Sequence, residues 1–149
     1  MKILTLHAEE PAWDTVAAYA AGCPWRAGAY LAELMRSNRF TKWERVIAAF
    51  EGECPIGFCT LTAKDEMPES CDFTPFIGFV YVDAAYRGRR ISEQMIAAAS
   101  DYAKSLGYPA VYLTSDEQGL YEKYGFTLLG AFENVQRELT QLFRKPLKQ

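Results

Sequence analysis

The stretch Val80–Ile96, VYVDAAYRGRRISEQMI, decides how this chain reads. It opens at the end of FIGFVYV (76–82), an apolar and β-branched run that suits a central strand covered on both faces. It closes inside a segment where Ile91, Met95, Ile96, Ala99 and Ala103 trace one face of a helix, expected over 91–106. A helix start presents unpaired backbone N–H groups and a partial positive charge, which together seat an anion. Gly88 lets the backbone approach a ligand closely, and Arg87, Arg89 and Arg90 add charge suited to phosphate. A pyrophosphate is the natural guest, although the same residues also fit a solvated basic helix start. The GxxxxGK[ST] phosphate loop is absent.

Outward from this stretch the chain reads as one domain over residues 1–149. Half of its residues are hydrophobic and 23% are charged, which is enough apolar material for a core and argues against disorder. Residues 2–6 read as a strand, and helices are expected from Pro11 to Ala21 and from Arg26 to Arg36. WERVIAAF (43–50) and CPIGFCTLTAK (54–64), joined by a short glycine-containing turn, form an antiparallel hairpin. Residues 64–75 are polar and proline-bearing and read as a surface loop. AVYLTS (110–115) is a strand, Glu117–Tyr124 a short helix, and 126–130 and 138–144 are the last strands. The strand–helix–strand unit 76–115 calls for two parallel strands. The fold class is therefore α/β, a mixed sheet with helices on both faces.

Composition narrows the function. The net charge of −3 disfavours a general nucleic-acid binder. The single histidine, His7, reads as a surface residue. Without a CxxC pair, Cys23, Cys54, Cys59 and Cys71 read as small core residues, and no metal is expected. The N-terminus carries no signal-like apolar run and no segment is long enough to span a bilayer, so the expectation is a cytoplasmic protein with reduced cysteines and no membrane partner.

Two motifs resemble one family. Arg87-Gly88-Arg89-Arg90-Ile91-Ser92 is similar to the [RQ]-x-x-G-x-[GA] acetyl-CoA motif of the GCN5-related N-acetyltransferases (GNAT), with Arg90 and Ser92 standing at the two small-residue positions. Gly119–Phe126, GLYEKYGF, resembles the C-terminal pattern of the same family. Together the motifs cover about 76–130, and the element order extends the likeness over nearly the whole chain.

The resemblance implies a GNAT-like fold and direct acetyl transfer from acetyl-CoA to a primary amine of a small molecule, peptide or protein. Backbone groups near Val80 and Val82 would pair with the pantetheine arm, in a splay between strands 76–82 and 110–115. The N–H groups of Arg87, Gly88, Arg89, Arg90, Ile91 and Ser92 would hold the pyrophosphate, and an N–H at the splay would face the oxyanion. Tyr121 is the candidate general acid, since a phenol is protonated at neutral pH, and Tyr124 is the second choice. Candidates for the base are Glu69, Asp72, Asp116 and Glu117. Trp25, Arg26 and Tyr30, with Asp72, are expected at the acceptor side. A covalent route through Cys59 or Cys71 lacks an activating base. The family also allows a homodimer through the late strands. The alternative reading is an acyl-CoA-binding sensor on the same fold.

Overall fold

The computed structural model describes residues 1–68 and 70–148. Its order is β1 (Lys2–Leu6), α1 (Pro11–Gly22), α2 (Arg26–Arg36), β2 (Arg45–Glu51), β3 (Cys54–Thr62), β4 (Phe76–Val82), α3 (Ile91–Ser105), β5 (Ala110–Ser115), α4 (Leu120–Lys123), β6 (Thr127–Glu133) and β7 (Leu139–Pro146), with a single 3-10 turn at Ala84–Tyr86. This is the sequence of elements expected, with the clearest differences of extent in the last three.

The seven strands form one mixed sheet in the order β1-β2-β3-β4-β5-β7-β6. β1 to β4 are antiparallel neighbours, and β4 and β5 are parallel. β2 explains why both faces are covered. Its side chains alternate with the period of a strand. Val46, Ala48 and Phe50 enter a core with α1 and α2, while Ile47 and Ala49 enter a second core with α3. On the first face Trp13, Val16, Ala20, Leu31 and Met35 close against the sheet; on the second, Met95, Ile96, Ala99 and Ala103 do so.

Two expectations needed correction. The helix expected over 117–124 runs only over Leu120–Lys123. Gly119 precedes it in a left-handed conformation, φ 83°, which a helix cannot include. The late strands do not follow chain order, because β7 inserts between β5 and β6. Leu142 and Phe143 of β7 are buried, whereas β6 is largely exposed and forms the edge. β6 is nonetheless the more apolar strand, and Leu128, Leu129 and Phe132 stand exposed on it.

The segment 64–75 is not a simple surface loop. Met67 is buried with Phe76 and Leu142, and Phe73 stacks on Tyr112 at 4.7 Å. The Lys64 ammonium donates to the carbonyls of Cys71 and Phe73, Thr74 Oγ1 donates to Ala63 O at 2.8 Å, and Val135 N donates to Glu66 O at 2.8 Å. Proline and charge hid a segment that carries its own small core.

Because β2 is buried on both sides, truncation there opens a cavity that neighbours fill only in part. Ile47→Ala should lower stability by about 2–5 kcal/mol, and Leu139→Ala, at a side chain 73% exposed, by less than about 0.5 kcal/mol. Urea denaturation of both variants measures the contrast.

Candidate active site

The site begins where two parallel strands part. Among the described residues the ladder between β4 and β5 holds one pair, Phe76 with Tyr112, supported by Tyr112 N donating to Pro75 O at 3.0 Å. Beyond it the strands diverge. A bulge in the β3–β4 ladder falls between Phe58 and Thr60, and Phe79, opposite it, sits at φ 50°. Such a conformation costs a bulky residue about 1–3 kcal/mol and clusters at functional sites. The parting strands open a cavity of about 1110 Å³. Val80 and Val82 line it from β4, and Leu113, Thr114 and Ser115 from β5.

One end of the cavity is the start of α3. Gln94 N donates to Arg90 O at 3.3 Å as the first turn closes, so the N–H groups of Ile91, Ser92 and Glu93 precede the helical ladder. Gly88 has φ +84°, and a Cβ built there would meet nothing within 4 Å. Its requirement is conformational rather than spatial. The arginines are turned aside. Arg87 Nε donates to Val82 O at 2.9 Å, with its guanidinium over the Tyr81 ring. Arg89 lies over Tyr86 and is not part of the lining. Arg90 forks onto Glu93 at 2.6 and 3.0 Å. Backbone donors are thereby left facing the cavity beside a positive helix end. That arrangement fits a pyrophosphate, and the open strand edge of β4 fits an extended amide-bearing arm.

Tyr121 and Tyr124 bring α4 to the same cavity. Tyr121 is 6% exposed, packed against Tyr124, Phe126 and Phe143. Burial pushes its phenol up to about 12, with Glu117 and Tyr124 adding to the shift. It therefore stays protonated across the physiological range and is available as a proton donor. Tyr124 and Ser92 share a hydrogen bond of 2.9 Å, which joins α4 to the first turn of α3.

The opposite end is walled by Pro24, Trp25 and Ala27 from the α1–α2 turn and by Phe79 and Tyr81 from β4. Asp65 and Glu66 line the cavity from the β3–β4 loop. The carboxyl group of Asp65 stands over Gly78, where a Cβ would come within 2.5–2.7 Å of it. Burial, with a smaller push from Glu66, raises Asp65 to about 7. Asp65 did not emerge from the sequence. Its signal was Gly78, since a glycine inside a strand marks a close approach by another group.

Of the residues expected at the acceptor side, Trp25 lines the cavity and Tyr30 reaches it only through Phe79, 6.1 Å between ring centres. Arg26 and Asp72 are exposed and outside the lining. Among the expected bases Glu117 lines the cavity, Asp116 does not, and Glu69 lies outside the described residues. Cys59 is fully buried and its thiol is pushed up to about 12 by burial, and Cys71 is packed against the small core under the loop. No helix of the described residues is long and apolar enough to cross a membrane, and among the same residues no three His, Cys, Asp or Glu side chains are grouped to hold a metal ion.

Known structures share this architecture. The crystal structure of aminoglycoside 6'-acetyltransferase type Ii superposes with a TM-score of 0.76 at 17% identity, covering 100% of this chain and 99% of that one. An aminoglycoside 6'-N-acetyltransferase complexed with coenzyme A gives 0.73 at 15% identity, covering 100% and 98%. The aminoglycoside 6'-N-acetyltransferase from Enterococcus faecium gives 0.74 at 16%, again covering 100% and 98%. At these identities the likeness is one of fold. No curated protein matches the sequence. The profile of the Acetyltransferase (GNAT) family matches residues 9–126, most of the chain, and takes in both sequence motifs and every residue of the cavity wall. The protein belongs to the GNAT acetyltransferase family.

Proposed function

We propose that the protein transfers an acetyl group from acetyl-CoA directly to a primary amine. The observation that carries this reading is the splay of β4 from β5, opening between the free start of α3 and the buried phenol of Tyr121. The α3 end supplies donors for the pyrophosphate and β4 supplies the edge for the pantetheine arm. Asp65 supplies the base.

The chemistry divides between two groups of opposite character. An amine arrives as an ammonium ion and must lose a proton before it can attack. The Asp65 carboxylate, raised to about 7, has a basicity suited to that task near neutral pH. The neutral amine then attacks the thioester carbonyl, forming the C–N bond. Collapse of the tetrahedral adduct breaks the C–S bond, and Tyr121 gives its proton to the departing thiolate. The nitrogen gives its second proton to the Tyr121 phenolate, which restores the phenol and leaves the neutral amide, and the proton held by Asp65 is released to solvent. No residue of the chain is acylated in this route, in keeping with the buried and unactivated Cys59 thiol.

Calorimetric titration with acetyl-CoA tests the cofactor site. Saturation near one equivalent is expected. Gly88→Asp should abolish it, because the substitution puts a carboxylate beside the phosphates and strains a position at φ +84°. No binding at millimolar acetyl-CoA by folded protein would end this reading. Tyr121→Phe should lower kcat by about 10²–10⁴-fold with acetyl-CoA affinity nearly unchanged, a split that steady-state kinetics and calorimetry resolve together. An acyl-CoA sensor would instead bind acetyl-CoA and release no CoA with any amine.

Asp65 gives a coupled prediction. Activity should rise as pH passes through about 7, and Asp65→Asn should remove that limb. Stability should run the other way. The folded state favours the protonated carboxyl, so the stability it contributes is complete below the ordinary value of 3.8 and is lost as pH rises through about 7. Glu66 adds to that loss, while the Lys64 ammonium is committed to carbonyl groups. Asp65→Asn should therefore melt at a higher temperature than the parent at pH 8 and at a similar one at pH 3. Equal melting curves at pH 8 would remove Asp65 from this role.

A further inference from the structure

The acceptor end of the cavity has a composition of its own. Trp25 stacks on Tyr81 with ring centres 5.7 Å apart and planes 6° from parallel. Tyr81 stacks in turn on buried Phe58 at 5.2 Å, and Phe79 meets the edge of Trp25 at 6.3 Å. Tyr19 braces the group from α1, packing on Phe58 and donating to Asp83 at 3.2 Å. The result is a rigid aromatic wall anchored in the core beneath it. Trp25 stays 36% exposed at its top.

Two carboxylates line the cavity from the β3–β4 loop, Asp65 and Glu66. Of the cationic residues of the lining, Arg90 pairs with Glu93 and Lys123 lies on α4, while the Arg87 guanidinium stands 5.7 Å from the centre of the Tyr81 ring and donates to Val82 O. A ligand here meets flat π-faces and a carboxylate set in the cavity wall. Aromatic faces attract both a ring and an ammonium group. They offer few acceptors to a sugar hydroxyl, and two adjacent carboxylates cannot match an amine that carries several spaced ammonium groups.

We propose that the acceptor is a monoamine on a flat apolar body, an arylalkylamine, with its ring against Trp25, Phe79 and Tyr81 and its ammonium group at Asp65. This rests on the acetyl-transfer reading for the chemistry, but the recognition can be measured without turnover. It separates this chain from an acceptor site built for a polycationic sugar, although the fold is shared with aminoglycoside 6'-acetyltransferases.

The test is equilibrium binding in the presence of saturating CoA, where no acetyl group is available, using 2-phenylethylamine, tryptamine, propylamine, spermidine and kanamycin. The two aryl amines should bind about tenfold or more tightly than propylamine, and more tightly than spermidine or kanamycin. Trp25→Ala should erase that margin while calorimetry shows unchanged CoA affinity, and Phe79→Leu serves if the first variant does not fold. Tighter binding of kanamycin or spermidine would overturn the proposal, as would an aryl preference that survives both substitutions. Aryl-amine binding without acetyl transfer on addition of acetyl-CoA would count against the catalytic reading and leave the recognition standing.

Discussion

The separation of β4 from β5 is the constraint on which the rest of the site depends. A parallel pair normally continues its ladder, and breaking it leaves backbone polar groups without partners inside the sheet. Here the ladder holds one described pair, and a bulge with Phe79 at φ 50° turns β4 away. The unpaired edge is tolerable because it lines an open cavity. The second core under α3 and the β5–β7–β6 unit hold the two halves of the sheet together across the gap. The same divergence exposes the start of α3 and lets α4 reach Tyr121 into the space between the strands.

Asp65 is a second place where structure and stability oppose one another. Burying a carboxyl group beside an acidic neighbour raises its proton affinity and is unfavourable once it ionises. The loop that holds it is built to resist relaxation. Lys64 grips two carbonyls of the loop, Thr74 ties its end back to Ala63, and Met67 and Phe73 are packed beneath it. Gly78 then clears the space the carboxyl group occupies. A loop merely covering the sheet edge would need neither the lysine clamp nor the missing Cβ. Both follow if the group must be held in the cavity wall with a proton affinity that full hydration would lower.

The fold was legible because its signals are periodic. FIGFVYV, the α3 stripe and the β2–β3 hairpin each repeat an apolar pattern that local chemistry turns into one kind of element. The left-handed Gly88 and the start of α3 were legible too, because a glycine, a helix start and the GNAT motif coincide in seven consecutive residues, Tyr86–Ser92. The aromatic end of the cavity was not. It is assembled from the α1–α2 turn, the β3–β4 loop and alternate residues of β4, which no local window joins. Asp65 sits in a polar stretch where every carboxylate reads alike, and only its contact with Gly78 sets it apart. The places of β6 and β7 in the sheet were not legible either, since β6, the more apolar strand, stays exposed with one neighbour while Leu142 and Phe143 fill both faces of β7.

The two departures from the family motif are compensated where they occur. A glycine at position 90 would supply two things, freedom to adopt a left-handed conformation and room beside the phosphates. Arg90 adopts that conformation anyway, φ 59° and ψ 30°, and its bidentate contact with Glu93 carries the guanidinium along the outer surface of α3. The pairing also lowers the Glu93 carboxyl below its ordinary range through the hydrogen bonds from Arg90. Glu93 would otherwise stand as an unbalanced negative charge in the first turn, beside the anion seat. Arg90 thus restores the sign of the field that its bulk threatens to obstruct. Ser92 behaves similarly. Its hydroxyl is engaged by Tyr124, and the bond fixes α4 against α3. Since Tyr121 lies one turn earlier on the same short helix and packs on Tyr124, the residue that departs from the motif at the start of α3 also helps to fix the Tyr121 ring in the cavity wall.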